Sequence, residues 1–114
     1  PEEIYGDRAI LDEFMTKRKQ LNFELRSEGY DTSDYDFENA SFDKGFDFFL
    51  HKRVGYQALG YMITGIFLRP YAATSIREYF ASGFEAYYLG KKSELSKDCP
   101  VLYKKLDELH DLVS

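Results

Sequence analysis

The apolar positions of this chain fall into blocks of helical spacing separated by polar or glycine-rich breaks. From about Asp7 to Gly29, Ile10, Leu11, Phe14, Met15, Leu21, Phe23 and Leu25 supply an apolar side, while Lys17, Arg18, Lys19 and Gln20 read as a solvated charge patch. Glu2, Glu3 and Asp7 suit the positive end of this helix's dipole and Gly29 suits its stop, so the segment reads as a scaffold helix. From Tyr30 to Phe42 the periodicity is lost in an acidic stretch dotted with aromatics, which reads as a solvated loop pinned by Tyr35 and Phe37. Ser41 can cap a second helix running through Phe42, Phe46, Phe49 and Leu50 to about Arg53, with Asp43 in its first turn. Gly55, Gly60 and Gly65 then recur at a spacing of five, which is neither the helix nor the strand period. That segment reads equally as short strand, broken helix or close-packed loop.

The strongest pattern runs from Thr74 to Gly90. Thr74 or Ser75 can cap its start, Gly90 can take the left-handed turn that ends it, and Ile76, Phe80, Phe84 and Tyr87 or Tyr88 recur at helical spacing. Glu78, Ser82 and Glu85 share another face, on which composition alone makes each carboxylate a solvated group. Ahead of this helix, Arg69-Pro70 closes the preceding stretch because proline pushes its neighbour out of helical geometry, leaving Tyr71 in a constrained loop. Beyond it, Lys91 and Lys92 sit at the negative helix end, and Ser93 can open a short helical turn. Pro100 suits the first position of a last helix with Leu102, Leu106, Leu109 and Leu112 or Val113 as its buried stripe. The expected fold is therefore mainly α, about four helices around one aromatic-rich core, with the Thr74 to Gly90 helix central.

Composition narrows the function classes. The chain has 114 residues, the size of one ordinary domain or domain fragment, and ten Phe and ten Tyr make it a globular composition. A formal charge of −5 with no basic stripe argues against a nucleic-acid backbone or an anionic membrane surface as partner. The uncharged run from Val54 to Leu68 falls short of the roughly 20 apolar residues of a membrane span and is broken by glycines, so it reads as buried protein. Cys99 is the only cysteine, which excludes an intrachain disulfide and four-cysteine zinc sites, and its default role is a small, partly buried residue before Pro100. Asp34, Asp36 and Glu38 alternate in the acidic loop, yet the calcium-loop pattern fails for want of Gly at the sixth position and Glu at the twelfth. His51 and His110 are far apart, and neither has a second histidine one helical turn away. The start at Pro1, with no initiator Met and no signal peptide, suits a processed piece, a trimmed piece or a renumbered segment, and fits a missing upstream half.

One resemblance gives the carboxylates a sharper meaning. The run Glu78-Tyr79-Phe80-Ala81-Ser82-Gly83-Phe84 resembles the E-[FY]-F-A-E-x-F motif of the anthrax lethal factor-like zinc metallopeptidases of the gluzincin type. Tyr71 precedes Glu78 by seven residues, the spacing that separates the family's active-site tyrosine from its glutamate zinc ligand. Cys99-Pro100-Val101-Leu102-Tyr103 is similar to the family's A-P-x-[TL]-[FY] opening of a final helix, so the resemblance extends from Leu68 to the C-terminus. It implies that residues 67–114 are the C-terminal helices of a zincin-like metallopeptidase domain, residues 1–66 being a helical scaffold with an acidic loop. It further implies that Glu78 is a metal ligand for zinc, that Tyr71 is a catalytic oxyanion donor, and that a peptide or protein is the substrate of a secreted or virion-associated protein. The chain departs from the family in two ways. The H-E-x-x-H pair that binds zinc and activates water is absent, so the zinc would be shared with the remainder of a precursor or another chain, and this chain alone would be inactive. Ser82 stands where the family usually has a second glutamate. The other reading is a non-catalytic helical interaction or assembly module, of a toxin or virion, on a degenerate metallopeptidase frame.

Overall fold

A computed structural model describes residues 7–113, with the side chain of Val113 outside the described set. The fold is mainly helical, with no strand among the described residues. Helix α1 spans Arg8–Ser27, α2 spans Lys44–Phe48 and runs into a π-helical segment at Phe49–Gly55, and α3 spans Tyr56–Met62. A 3₁₀ turn at Pro70–Ala73 leads into α4 at Ile76–Tyr88, followed by α5 at Lys92–Asp98 and α6 at Pro100–Val113. One buried cluster, from Ile10 to Leu106, draws on all of these elements. Among the described residues, no helix is long and apolar enough to cross a membrane.

The first helix is built as its ends predict, since Asp7 caps it by accepting from the amides of Ala9 and Ile10. Glu2 and Glu3, expected at the same end, lie outside the described residues. Its buried face departs from the expectation. Ile10, Phe14, Lys17, Arg18, Leu21 and Leu25 are buried, whereas Phe23 is 70% exposed. The helical stripe that links Phe14 to Leu21 passes through positions 17 and 18, so the two cations belong to the core side and Phe23 to the opposite one.

Both cations are buried because they satisfy backbone carbonyls that the fold leaves without donors. Arg18 donates from Nε to the Ala73 carbonyl at 2.7 Å, from Nη1 to those of Phe37 and Asn39 at 3.2 and 3.1 Å, and from Nη2 to Thr74 at 3.0 Å. Its guanidinium carbon lies 4.7 Å from the Phe14 ring centre and 4.5 Å from that of Phe46. Burial lowers its pKa to about 10, with Asp36 and Asp43 acting the other way, so the group stays charged at neutral pH. Lys17 donates to the carbonyls of Ile66 and Asp98. A five-donor planar fork is what gathers four carbonyls from two separate loops.

The acidic loop is pinned as expected. Tyr35 stacks on Phe49 with ring centres 4.4 Å apart, and buried Phe37 meets Phe46 edge-on at 5.0 Å. The second helix differs from its expectation, since Asp43, not Ser41, supplies the cap by accepting from Gly45, and Phe42 is left outside, 56% exposed. The glycine-spaced segment is a broken helix: Gly55 has φ 85°, a left-handed value that only glycine takes without strain, and it separates the π-helical segment from α3.

Candidate functional site

The site elements are the 3₁₀ turn and α4. Arg69 has extended φ −158° and ψ 161°, as a residue before proline must, and Pro70 opens the turn. The turn ends on Thr74, whose amide and hydroxyl both donate to the Tyr71 carbonyl, at 3.1 and 2.8 Å. Ser75 then caps α4 by accepting from the Glu78 amide at 3.2 Å. Ser75-Ile76-Arg77-Glu78 thus carries the S-x-x-E spacing of a capping box, a signal that places Glu78 in the third helical position whatever else it does.

Helix α4 buries Ile76, Tyr79, Phe80, Ser82, Gly83, Ala86 and Tyr87. Phe84, expected on this face, is 49% exposed, as is Tyr88, and the two rings pack on each other at 4.7 Å along the helix edge. The cause is Gly83: a Cβ there would fall 2.3 Å from Leu102 Cδ2, so α4 and α6 approach through the glycine and Phe84 is turned to the rim. In α6, Leu102 and Leu106 are buried as expected, while Leu112 is 81% exposed.

Behind α4 lies a polar knot that the sequence did not announce. Glu13 of α1 accepts from the Tyr79 hydroxyl and from the amides of Val101 and Leu102, at 2.8 and 3.3 Å for the two amides. It therefore caps α6 from another helix, which lets Pro100 occupy the first position without leaving the next donors unmet. Buried Cys99 abuts the same hydroxyl, and burial pushes its thiol up to about 11. Tyr79 is likewise raised, by burial first and then by Cys99 and Glu13.

Within this frame the carboxylates and phenols of residues 70–88 divide cleanly. Glu85 pairs with Arg69, Tyr79 donates to Glu13, Tyr87 donates to Asp107 at 2.7 Å, and the Tyr88 hydroxyl lies 3.3 Å from His110 Nδ1. Glu78 is half-buried, and its carboxylate makes no hydrogen bond or ion pair among the described residues. Tyr71 is 43% exposed, and its hydroxyl is likewise without a hydrogen bond among the described residues. Its ring lines an open cleft with Tyr56, Arg69 and Pro70, and Glu78 does not border that cleft. Tyr56 is raised above the usual phenol value by burial first, then by Asp47 and Tyr71.

Ser82, at the place of the family's second glutamate, is buried and accepts from Arg69 Nε at 3.0 Å. Among the described residues no three His, Cys, Asp or Glu side chains gather where they could hold a metal ion. His51 packs against the Tyr56 ring at 4.3 Å, and His110 lies beside Tyr87 and Tyr88. Glu78 belongs to no such group among the described residues, and a zinc site at it would need its other ligands from elsewhere. No family model, curated protein or solved structure matches the chain.

Proposed function

We propose that the chain is the C-terminal portion of a zinc metalloendopeptidase, in which Glu78 is the carboxylate zinc ligand and Tyr71 the oxyanion donor. The observation that carries this reading is the division just described. Of the carboxylates of α4 and the phenols from Tyr71 to Tyr88, the two at the motif positions are those whose polar ends stay unengaged by described residues. A ligand and an oxyanion donor must keep their polar atoms for metal and substrate, whereas structural residues use theirs on neighbours. The half-buried setting of Glu78 adds support, since a wall of protein on one side raises the strength of any charge interaction on the other.

Zinc, when bound, would lower the pKa of its water toward neutrality. This chain's residues perform the remaining tasks. Glu78 presents its carboxylate from a capped first turn, so the ligand's backbone is fixed. Tyr71 offers its hydroxyl from a proline-started turn and donates to the carbonyl oxygen of a peptide substrate as negative charge develops there. The histidine pair comes from an upstream segment or another chain. In the intact protein, Tyr71→Phe should lower kcat about 100-fold or more while zinc content is kept, the range seen when one oxyanion donor is removed. Parallel loss of turnover and zinc, or unchanged turnover, contradicts the assignment.

A second reading, the helical assembly module, is favoured by the exposed apolar edge of Phe84, Tyr88 and Leu89. The coding sequence around this segment separates the two: an H-E-x-x-H upstream of Pro1 supports the peptidase, and its absence there and in any partner chain supports the module.

A further inference from the structure

Arg69 is the one residue that bonds both to the turn carrying Tyr71 and to the face of α4 that carries Glu78, among the described residues of that turn. Its backbone carbonyl accepts from the Ala72 amide at 3.1 Å and so starts the turn. Its side chain reaches across to α4, where Nε donates to Ser82 Oγ at 3.0 Å, Nη1 donates to Glu85 Oε1 at 3.1 Å, and Nη2 lies 3.0 Å from Glu85 Oε2. Ser82 and Glu85 follow Glu78 by four and seven residues, one and two helical turns along the same face.

We infer that Arg69 is a positioning residue that locks the Tyr71 turn to α4, so that the phenol and the Glu78 carboxylate keep a fixed relation. Two fastenings are needed to hold a four-residue turn against rotation. At its C-terminal end Thr74 and Ser75 join it directly to the helix. At its N-terminal end Arg69 is the fastening, and its planar fork fixes direction as well as distance. The seat of that fork is Ser82, the position where the resembled family usually has a glutamate. The small hydroxyl and the arginine are joined by that bond.

The inference rests on the peptidase reading for its function, and on geometry alone for the clamp. The ion pair is half exposed, with side chains 42% and 50% accessible, so its removal should leave the fold intact. A misplacement of about 1 Å at a reacting group can lower turnover by about 100-fold.

The test compares Arg69→Gln, Glu85→Gln and the double variant with wild type in the intact, zinc-loaded protein. Hydrogen exchange of the Ala72 and Thr74 amides reports the clamp, and kcat, KM and zinc content on a peptide substrate report the site. We expect exchange at these amides to rise about 10-fold in each variant. We also expect kcat to fall about 10- to 100-fold with KM and zinc content little changed, and the double variant to be no worse than Arg69→Gln. Unchanged exchange overturns the clamp whatever the activity does. Faster exchange with unchanged kcat, or zinc lost in step with kcat, overturns the positioning role. A wild-type protein without zinc-dependent peptidase activity overturns the peptidase reading and this role with it, while the exchange result still judges the clamp.

Discussion

Replacing Arg18 by Met tests whether one buried guanidinium holds the two halves of the fold together. The substitution keeps a long side chain against Phe14 and Phe46 and removes the donors to Phe37, Asn39, Ala73 and Thr74. Three of those bonds lie in fully buried surroundings, and each carbonyl left without its donor costs about 1–3 kcal/mol. Against roughly 3–9 kcal/mol of loss stands relief from burying a charge, which in other buried ion groups offsets about 1–4 kcal/mol. The donors here serve backbone that has nowhere else to turn, so the loss should win by about 2–5 kcal/mol, a large part of the ~5–15 kcal/mol that holds a domain folded. Urea unfolding followed by circular dichroism at 222 nm reads this directly. With a slope of about 1.5 kcal/mol per M, the midpoint should fall by about 1.3–3.3 M. Arg18→Lys, with one ammonium in place of a fork, should fall between the two. An Arg18→Met midpoint equal to or above that of wild type would refute the argument, because the guanidinium's burial would then cost as much as its bonds return.

Two further outcomes follow from the packing and the buried acids. Gly83→Ala should destabilise by about 1 kcal/mol in spite of its better helix propensity, since the new methyl meets fully buried Leu102; a raised melting temperature would show that Leu102 has room to move. Cys99 is raised from 9.0 to about 11, mainly by burial, and Tyr87 from 10.0 to about 12, first through its bond to Asp107. Both are acids that the fold keeps protonated, so their contribution is complete below the unfolded pKa and is lost as pH rises through the folded one. Melting temperature should hold near pH 8 and fall from about pH 9, with the first part of the fall shallower in Cys99→Ala; a flat profile up to about pH 10, below the range where Arg18 works in the opposite sense, would contradict it.

Much of the fold was legible because long periodic blocks with caps carry their own signal. The first helix, the capped helix from Ser75 and the helix opened by Pro100 lie where spacing and end residues put them. What misled was residue type read without position. Lys17 and Arg18 look like a solvated patch, yet they fall on the stripe from Phe14 to Leu21, and periodicity alone would have buried them. Phe84 looks like core, yet Gly83 beside it is the residue that makes the close contact with α6. Long-range polar bonds were out of reach, since nothing in the neighbourhood of Glu13 says that it caps a helix 88 residues away. The Arg69 fork onto Ser82 and Glu85 is of the same kind. The spacing of Tyr71 and Glu78 was visible from the start, and the structure adds that neither polar end is engaged among the described residues.

Zinc stoichiometry of Glu78→Gln in the intact protein tests the central claim most directly. The substitution keeps the shape of the side chain and its place in the capped turn, and removes the negative charge that a zinc ligand contributes. Wild-type protein should carry about one zinc per chain set and lose it slowly to a chelator. Glu78→Gln should retain well under half of that zinc and show no proteolysis, with a melting curve close to wild type once both are stripped of metal. Full zinc occupancy in Glu78→Gln would contradict the assignment of this carboxylate.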